Sequence, residues 1–328
     1  MPDTLRTSDE VRFDGRVIVV TGAGRGMGRA HAVLLASRGA RVVVADSGVA
    51  MDGSSASEGP AQSVVTEIAD AGGEAIAFTG DLSTEGGCQE AIDTTVAKLG
   101  RIDGLLHNAS TSPNAATADK TSTKDLDMVM RINPFAGYWL TRAAWPHMQK
   151  QGYGRIAYIS SHSIYGVQES GVYASAKSAY IGMMRALAPE GEKHGILINV
   201  ILPTGATRMT ERFVESTYSR WLLDTMRPER MAVGAAFLLS EQSQIHGEML
   251  SMGGGRIARV LLAETQGFVG AGATIEEVRD AMPDILADEQ YFYPRDGVER
   301  SLKVAELMGF HGSLDMSELA VKDVSNAG

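Results

Sequence analysis

Val17-Ile18-Val19-Val20-Thr21-Gly22-Ala23-Gly24-Arg25-Gly26-Met27-Gly28 is the stretch that decides the fold. Its first four residues form an apolar run that reads as a buried strand. Arg29 to Arg38, rich in Ala and Leu, reads as a helix. Strand, glycine turn and helix make the setting that holds a dinucleotide. The glycines let the backbone approach the pyrophosphate, and the helix N-terminus faces it. Gly22, Gly26 and Gly28 carry that duty, with Arg25 and Met27 between them.

The next strand, Arg41 to Ala45, ends at Asp46. An acid at that point accepts hydrogen bonds from both hydroxyls of the adenosine ribose. It repels a 2′-phosphate, so NAD is favoured over NADP. Arg25, as a phosphate contact, keeps NADP in play. Further strands are expected at 75–79, 103–107, 154–160, 196–201 and 247–251, and helices at 27–38, 60–71, 86–98, 122–149 and 173–193. This alternation implies an α/β protein, a Rossmann-type doubly wound parallel sheet of about seven strands with helices on both faces. The segment from Asp46 to Gly59 is rich in Gly, Ser and Ala and reads as a surface loop.

Tyr173-Ala174-Ser175-Ala176-Lys177 supplies the chemistry. Residues four apart share one face of a helix. A phenol has a pKa near ~10 and is a poor base at neutral pH. An ammonium one turn away stabilises the phenolate and lowers that value. Such a pair takes a proton from an alcohol or gives one to a carbonyl.

The glycine turn and the Tyr–Lys pair together resemble the short-chain dehydrogenase/reductase family, from about Phe13 to Arg259. The glycine pattern matches at Thr21, Gly22, Gly26 and Gly28. The resemblance implies that Asp81 and Leu82 meet the adenine ring. Leu105-Leu106-His107-Asn108-Ala109-Ser110 is similar to the family's NNAG strand end. Asn108 and Ala109 match it as cofactor contacts, whereas His107 replaces the first Asn and Ser110 replaces the Gly. Asn133 falls where the family has the Asn that helps hold a proton-relay water. Pro134 beside it would kink the helix. The catalytic Ser falls on Ser161 when counted forward from Gly154-Arg155-Ile156 and on Ser160 when counted back from Tyr173. Strand registers resist slipping and loops absorb deletions, which favours Ser161. Pro203, Thr204, Gly205 and Thr207 fall on the nicotinamide side, with Thr207 as the amide contact. Tyr173 and Lys177 also reach the nicotinamide ribose.

The run Pro203 to Thr210, with Gly152-Tyr153-Gly154 and Ile164-Tyr165-Gly166, resembles one branch of the family. That branch is the dehydrogenase domain of peroxisomal multifunctional enzyme type 2 and its bacterial relatives. The resemblance implies an NAD-dependent oxidoreductase for a lipophilic secondary alcohol, a 3-hydroxyacyl-CoA or a hydroxysteroid. A reductase for a terpene or other small carbonyl compound is the alternative. A non-catalytic NAD-binding sensor or scaffold is the alternative of another class. The family's common homotetramer pairs the helices 122–149 and 173–193, with a dimer as second choice.

The domain reading is a flexible arm at 1–12, a dehydrogenase domain at 13–259 with a substrate lid at 205–227, and a partly helical extension at 260–328. The lid offers Met209, Phe213, Tyr218, Trp221 and Leu222, an apolar set suited to a large lipophilic substrate. In the extension, Thr274 and Glu277 read as a capped helix start. A net charge of −10 argues against a nucleic-acid or anionic-membrane surface. The single cysteine, Cys88, cannot pair within the chain, which fits a reducing cytoplasm. No apolar run reaches the ~20 residues of a membrane helix. No metal-ligand pattern is present.

Overall fold

The computed structural model describes residues 10–48, 59–113, 115–205, 215–267, 269, 274–287, 290–310 and 312. The chain forms two compact units, Met1–Val260 and Leu261–Gly328.

In the first unit the elements run β1 (Val17–Thr21), α1 (Gly26–Ser37), β2 (Arg41–Ala45), α2 (Gly59–Asp70), β3 (Glu74–Phe78), α3 (Glu85–Leu99), β4 (Gly104–His107), α4 (Thr123–Met130), α5 (Ala136–Gln151), β5 (Gly154–Ile159), α6 (Gly171–Glu192), β6 (Ile196–Pro203), α7 (Thr217–Thr225), α8 (Pro228–Leu239), β7 (Met249–Gly253) and β8 (Arg256–Val260). The sheet order is β3-β2-β1-β4-β5-β6-β7-β8. The order reverses between β1 and β4, and the crevice at the carboxyl ends there is where such sheets take ligands.

Every residue of β1 is buried, as expected for a parallel strand covered on both faces. Successive side chains point to opposite faces. Val17 and Val19 therefore join the core with Leu105, Leu140 and Tyr180, whereas Ile18 and Val20 join the core with Leu35, Ile68 and Ala235.

Two elements differ from the sequence reading. The sheet has eight strands, because β8 returns antiparallel to β7. The turn between them is Gly254-Gly255, with φ of +56° and +91°. Two successive positive φ values make the tight turn that suits hairpin twist, and two glycines adopt it without a Cβ penalty. The expected single helix at 122–149 is instead α4 and α5 joined by a π turn at Arg131–Phe135. Pro134 lies inside that turn. It has no N–H to give, so the α ladder cannot run through it.

In the second unit, β9 (Glu264–Thr265) pairs antiparallel with β10 (Tyr291–Phe292). Helix α9 (Ile275–Ile285) starts with the capping box Thr274/Glu277, and α10 (Gly297–Leu307) is capped by Asp296. Among the described residues, no helix is long and apolar enough to cross a membrane.

Candidate active site

The site begins where β1 ends. Gly22 and Gly26 hold φ of +63° and +53°, which side chains with a Cβ rarely adopt. A Cβ on Gly28 would lie 2.0 Å from the Gly22 carbonyl oxygen. The turn therefore packs flat against α1. The first turn of α1 has no side-chain cap and no acid, so its N–H groups remain open toward an anion. Asp46 closes the far side. Its carboxylate accepts from Gly24 N and from Gly48 N, each at 2.8 Å. A Cβ on Gly24 would meet that carboxylate at 2.9 Å. These residues fit a dinucleotide: flat backbone for the diphosphate, open N–H donors and a carboxylate at the ribose end. Arg25 is exposed at the rim. Asp81 is also exposed and orders its loop through Ser83 N at 2.8 Å, while Leu82 is buried behind it.

Thr21 joins this turn to β4. Its hydroxyl accepts from Asn108 N at 3.0 Å and from Ala109 N at 2.9 Å. Its own proton then goes to His107 Nδ1 at 2.9 Å. The other ring nitrogen of His107 must carry the hydrogen, and it donates to the Asn133 carbonyl oxygen at 3.1 Å. His107 is thus neutral; burial, then the nearby Lys177 charge, pushes its pKa down to about 3. The Asn108 side chain spans back to Thr21 O and Gly22 O at 3.1 and 3.2 Å. It is a strut beneath the glycine turn as well as a wall of the cavity.

Beside the turn lies a cavity of about 510 Å³. Tyr173 and Lys177 reach it from α6, Ser161 from the end of β5, Ser110 from the end of β4, and Tyr218 and Leu222 from α7. Met27, Pro203, Thr204 and Gly205 complete the nucleotide side of the wall. Met27 Sδ would lie 3.1 Å from a Cβ on Gly205, so the glycine turn and the loop after β6 meet there. The Ser161 and Ser110 hydroxyls stand beside the Tyr173 phenol on the cavity wall, where each favours the ionised form of that phenol. Ser160, by contrast, donates its hydroxyl to the Lys177 carbonyl at 2.8 Å and faces the α6 backbone. The structure therefore brings Ser161, and not Ser160, to Tyr173.

The Lys177 Nζ lies 5.6 Å from the Tyr173 ring centroid and donates to Ile159 O at 2.8 Å. Burial brings its pKa down to about 7. Burial also raises the Tyr173 phenol above its ordinary value. In the protein alone both groups are buried, and burial disfavours the charged form of each.

Asn133 is wholly buried behind Ser110 and does not line the cavity. Thr207, with Met209 and Phe213 of the expected lid, lies outside the described residues. Sequence reasoning did not find the role of Thr21 as a hub or the place of Ser110 beside Tyr173. Thr21 stood inside the glycine motif, but nothing in the spacing tells where its proton goes.

A family model for short chain dehydrogenase matches residues 16–217. A putative short-chain type dehydrogenase/reductase of Mycobacterium tuberculosis is 38% identical over 253 residues, covering 77% of this chain and 87% of that protein. Peroxisomal multifunctional enzyme type 2 of Drosophila melanogaster is 37% identical over 288 residues, 86% of this chain; the chain spans 47% of that protein's length. The solved full-length structure of the fly enzyme matches with a TM-score of 0.76 at 30% identity, over 91% of this chain and 50% of that one. A 7α-hydroxysteroid dehydrogenase complexed with NADH and 7-oxo glycochenodeoxycholic acid matches with a TM-score of 0.67 at 29% identity, over 76% of this chain and 98% of that one. The glycine turn, the Tyr173–Lys177 pair and these likenesses agree: the chain belongs to the short-chain dehydrogenase/reductase family.

Proposed function

We propose that the chain is an NAD-dependent dehydrogenase that interconverts a secondary alcohol and a ketone on a lipophilic substrate, a 3-hydroxyacyl-CoA or a hydroxysteroid. The observation that carries this is the cavity of about 510 Å³ in which the Tyr173 hydroxyl sits beside Ser161 and Lys177. NAD over NADP follows from Asp46 at the ribose end.

Ser161 accepts the Ser163 N–H at 3.0 Å, which leaves its own proton to hold the substrate oxygen. Tyr173 takes the hydroxyl proton of the alcohol, or returns it to the ketone. Lys177 holds the nicotinamide ribose and favours the ionised phenol when the site is filled. NAD, when bound, supplies the two-electron acceptor. Tyr218, Leu222 and Val167 give the wall an apolar portion for a ring system or acyl chain. Phe135 and Tyr138 are exposed, which supports the homotetramer packed through α4, α5 and α6. A cytoplasmic setting completes the reading.

The test is NADH formation across 3-hydroxyacyl-CoAs, hydroxysteroids, terpene alcohols and sugars, with Tyr173→Phe as control. Turnover of a lipophilic alcohol that is lost in Tyr173→Phe is expected. NAD binding without turnover of any alcohol would mark a sensor instead.

A further inference from the structure

We propose that Tyr180 is a positioning residue: its ring, fixed behind the site, keeps the Lys177 ammonium charged and in place beside Tyr173. The hold of the ring on the lysine stands on the packing around α6; its consequence for turnover rests on the dehydrogenase reading above.

Lys177 carries a full charge into the protein interior, where it is 1% exposed. One neutral carbonyl, Ile159 O at 2.8 Å, accepts one of its three protons. A single bond of that kind does not offset the removal of an ammonium from water. Two phenol rings of α6 stand beside the charge. Tyr173 precedes Lys177 by four residues and Tyr180 follows it by three, so both lie on its face of the helix. The ammonium is 5.6 Å from the Tyr173 ring centroid and 5.3 Å from that of Tyr180. Both distances fall within the ~6 Å over which a ring face attracts a cation, and the attraction is strongest in a desolvated setting. Tyr173 has the substrate to meet. Tyr180 does not line the cavity, so its ring serves Lys177 alone.

The surroundings of Tyr180 grip its ring and leave its hydroxyl idle. The ring stacks on Tyr158, with 5.3 Å between centroids and 11° between planes. The His107 ring meets it in a T, at 5.9 Å and 70°. Tyr158 is itself tied to Thr141 at 2.7 Å. Gly137 closes another side: a Cβ there would lie 3.0 Å from Tyr180 Cε1 and 3.1 Å from His107 Cδ2. The Tyr180 hydroxyl, by contrast, is buried with no hydrogen-bond partner among the described residues. A buried tyrosine usually has a partner for its hydroxyl. Here only the ring is engaged, and the charged group within its reach is Lys177.

The experiment titrates Lys177 by NMR in cofactor-free protein carrying carbon-labelled lysine, with its signal assigned by loss in Lys177→Met. The titratable groups that face Lys177 are Tyr173 and Tyr180 on its own helix, His107 from β4 and, behind Tyr180, Tyr158 from β5. Burial raises the three phenols and, with the Lys177 charge, brings His107 down to about 3. Lys177 therefore titrates alone near its lowered value of about 7. Tyr180→Leu removes the ring and should move the Lys177 midpoint down by about one pH unit. If that variant does not fold, Tyr180→Met carries the same test. Tyr180→Phe keeps the ring and should restore the midpoint. The sign separates this role from packing alone, because a ring that only fills space would, once cut back, admit water and move the midpoint up. An upward or unmoved midpoint in the ring-less variants would overturn the proposal, and so would Tyr180→Phe behaving like them. A midpoint lowered by about one unit cuts the charged fraction at pH 7 about fivefold. With the best alcohol of the substrate panel, kcat at that pH should fall about fivefold in Tyr180→Leu and return in Tyr180→Phe. A kcat equal to the parent's in Tyr180→Leu would overturn the role in the reaction. The titration uses neither cofactor nor alcohol, so the two readings fail separately: a parent that oxidises no alcohol sinks the dehydrogenase reading, whereas an unmoved lysine sinks this one.

Discussion

At the ends of β1 and β2 the site is made of backbone; at the ends of β4 and β5 it is made of side chains, namely hydroxyls, the Asn108 and Asn133 amides and the His107 ring. The first region works by what is missing. Gly22, Gly26 and Gly28 leave room for a ligand, and the uncapped start of α1 leaves donors open. The second works by saturation, with Thr21, His107, Asn133 and Ser110 joined in one chain of hydrogen bonds that ends at the cavity wall beside Tyr173 and Ser161. Even the buried histidines divide this way. His107 has both ring nitrogens bonded, while neither nitrogen of His31, on α1, has a hydrogen-bond partner among the described residues. A region built on absence is sensitive to added volume. A region built on saturation is sensitive to a single lost or reversed proton.

The largest effect is expected from adding volume to the first region. Gly28→Ala places a Cβ 2.0 Å from the Gly22 carbonyl, and overpacking a backbone contact costs about 3 kcal/mol. NAD affinity measured by calorimetry should drop by at least about a hundredfold. Retention of affinity within a few-fold would mean that the turn is not the diphosphate cradle.

Acid sensitivity comes next. Burial lowers the His31 pKa from 6.5 to about 4. A histidine depressed in the folded state contributes stability that is full above its unfolded pKa and is lost as pH falls through the folded one. The window is therefore from about 6.5 down to about 4, and the sum is roughly 3 kcal/mol at ~1.36 per unit. His31→Leu removes the group. Urea unfolding at both ends of the window should show the parent losing this amount relative to the variant. Parallel losses in both proteins would place the acid sensitivity elsewhere, with His107 the next group to examine.

The smallest effect concerns cofactor choice. Asp46→Ala removes the carboxylate from Gly24 N and Gly48 N. It should narrow the preference for NAD over NADP by about tenfold, equivalent to ~1.4 kcal/mol. A protein that prefers NADP from the start would show that Arg25, rather than Asp46, governs the ribose end.

The same division explains what could be read without coordinates. The glycine turn, β1, β2 and Asp46 were legible because backbone requirements are written as residue types at fixed spacing. Tyr173 and Lys177 were legible because helix periodicity puts them on one face. The choice between Ser160 and Ser161 was open, since it depends on how the chain leaves β5, and a one-residue difference there turns the hydroxyl from the cavity to the α6 backbone. The bond between Ser110 and Asn133 was not legible. It joins residues 23 positions apart, and such a pairing follows from three-dimensional neighbours. The eighth strand was overlooked although Gly254-Gly255 is itself a hairpin signal.

The π turn at Arg131–Phe135 has a consequence for how this protein can change in length. A π turn holds one residue more than an α turn does. Deleting one residue there would let α4 and α5 fuse into a continuous α-helix, and each residue of an α-helix accounts for about 100° of rotation. Val129 lies inward before the turn, and Leu140, Ala144 and Met148 lie inward after it. Because the π turn already absorbs the extra residue, losing it there would leave both sets facing the core, whereas an insertion or deletion elsewhere in α4 or α5 would swing one set away by about 100°. A length change fixed in these two helices during the chain's divergence should therefore fall in the turn that carries Asn133 before it falls elsewhere in them.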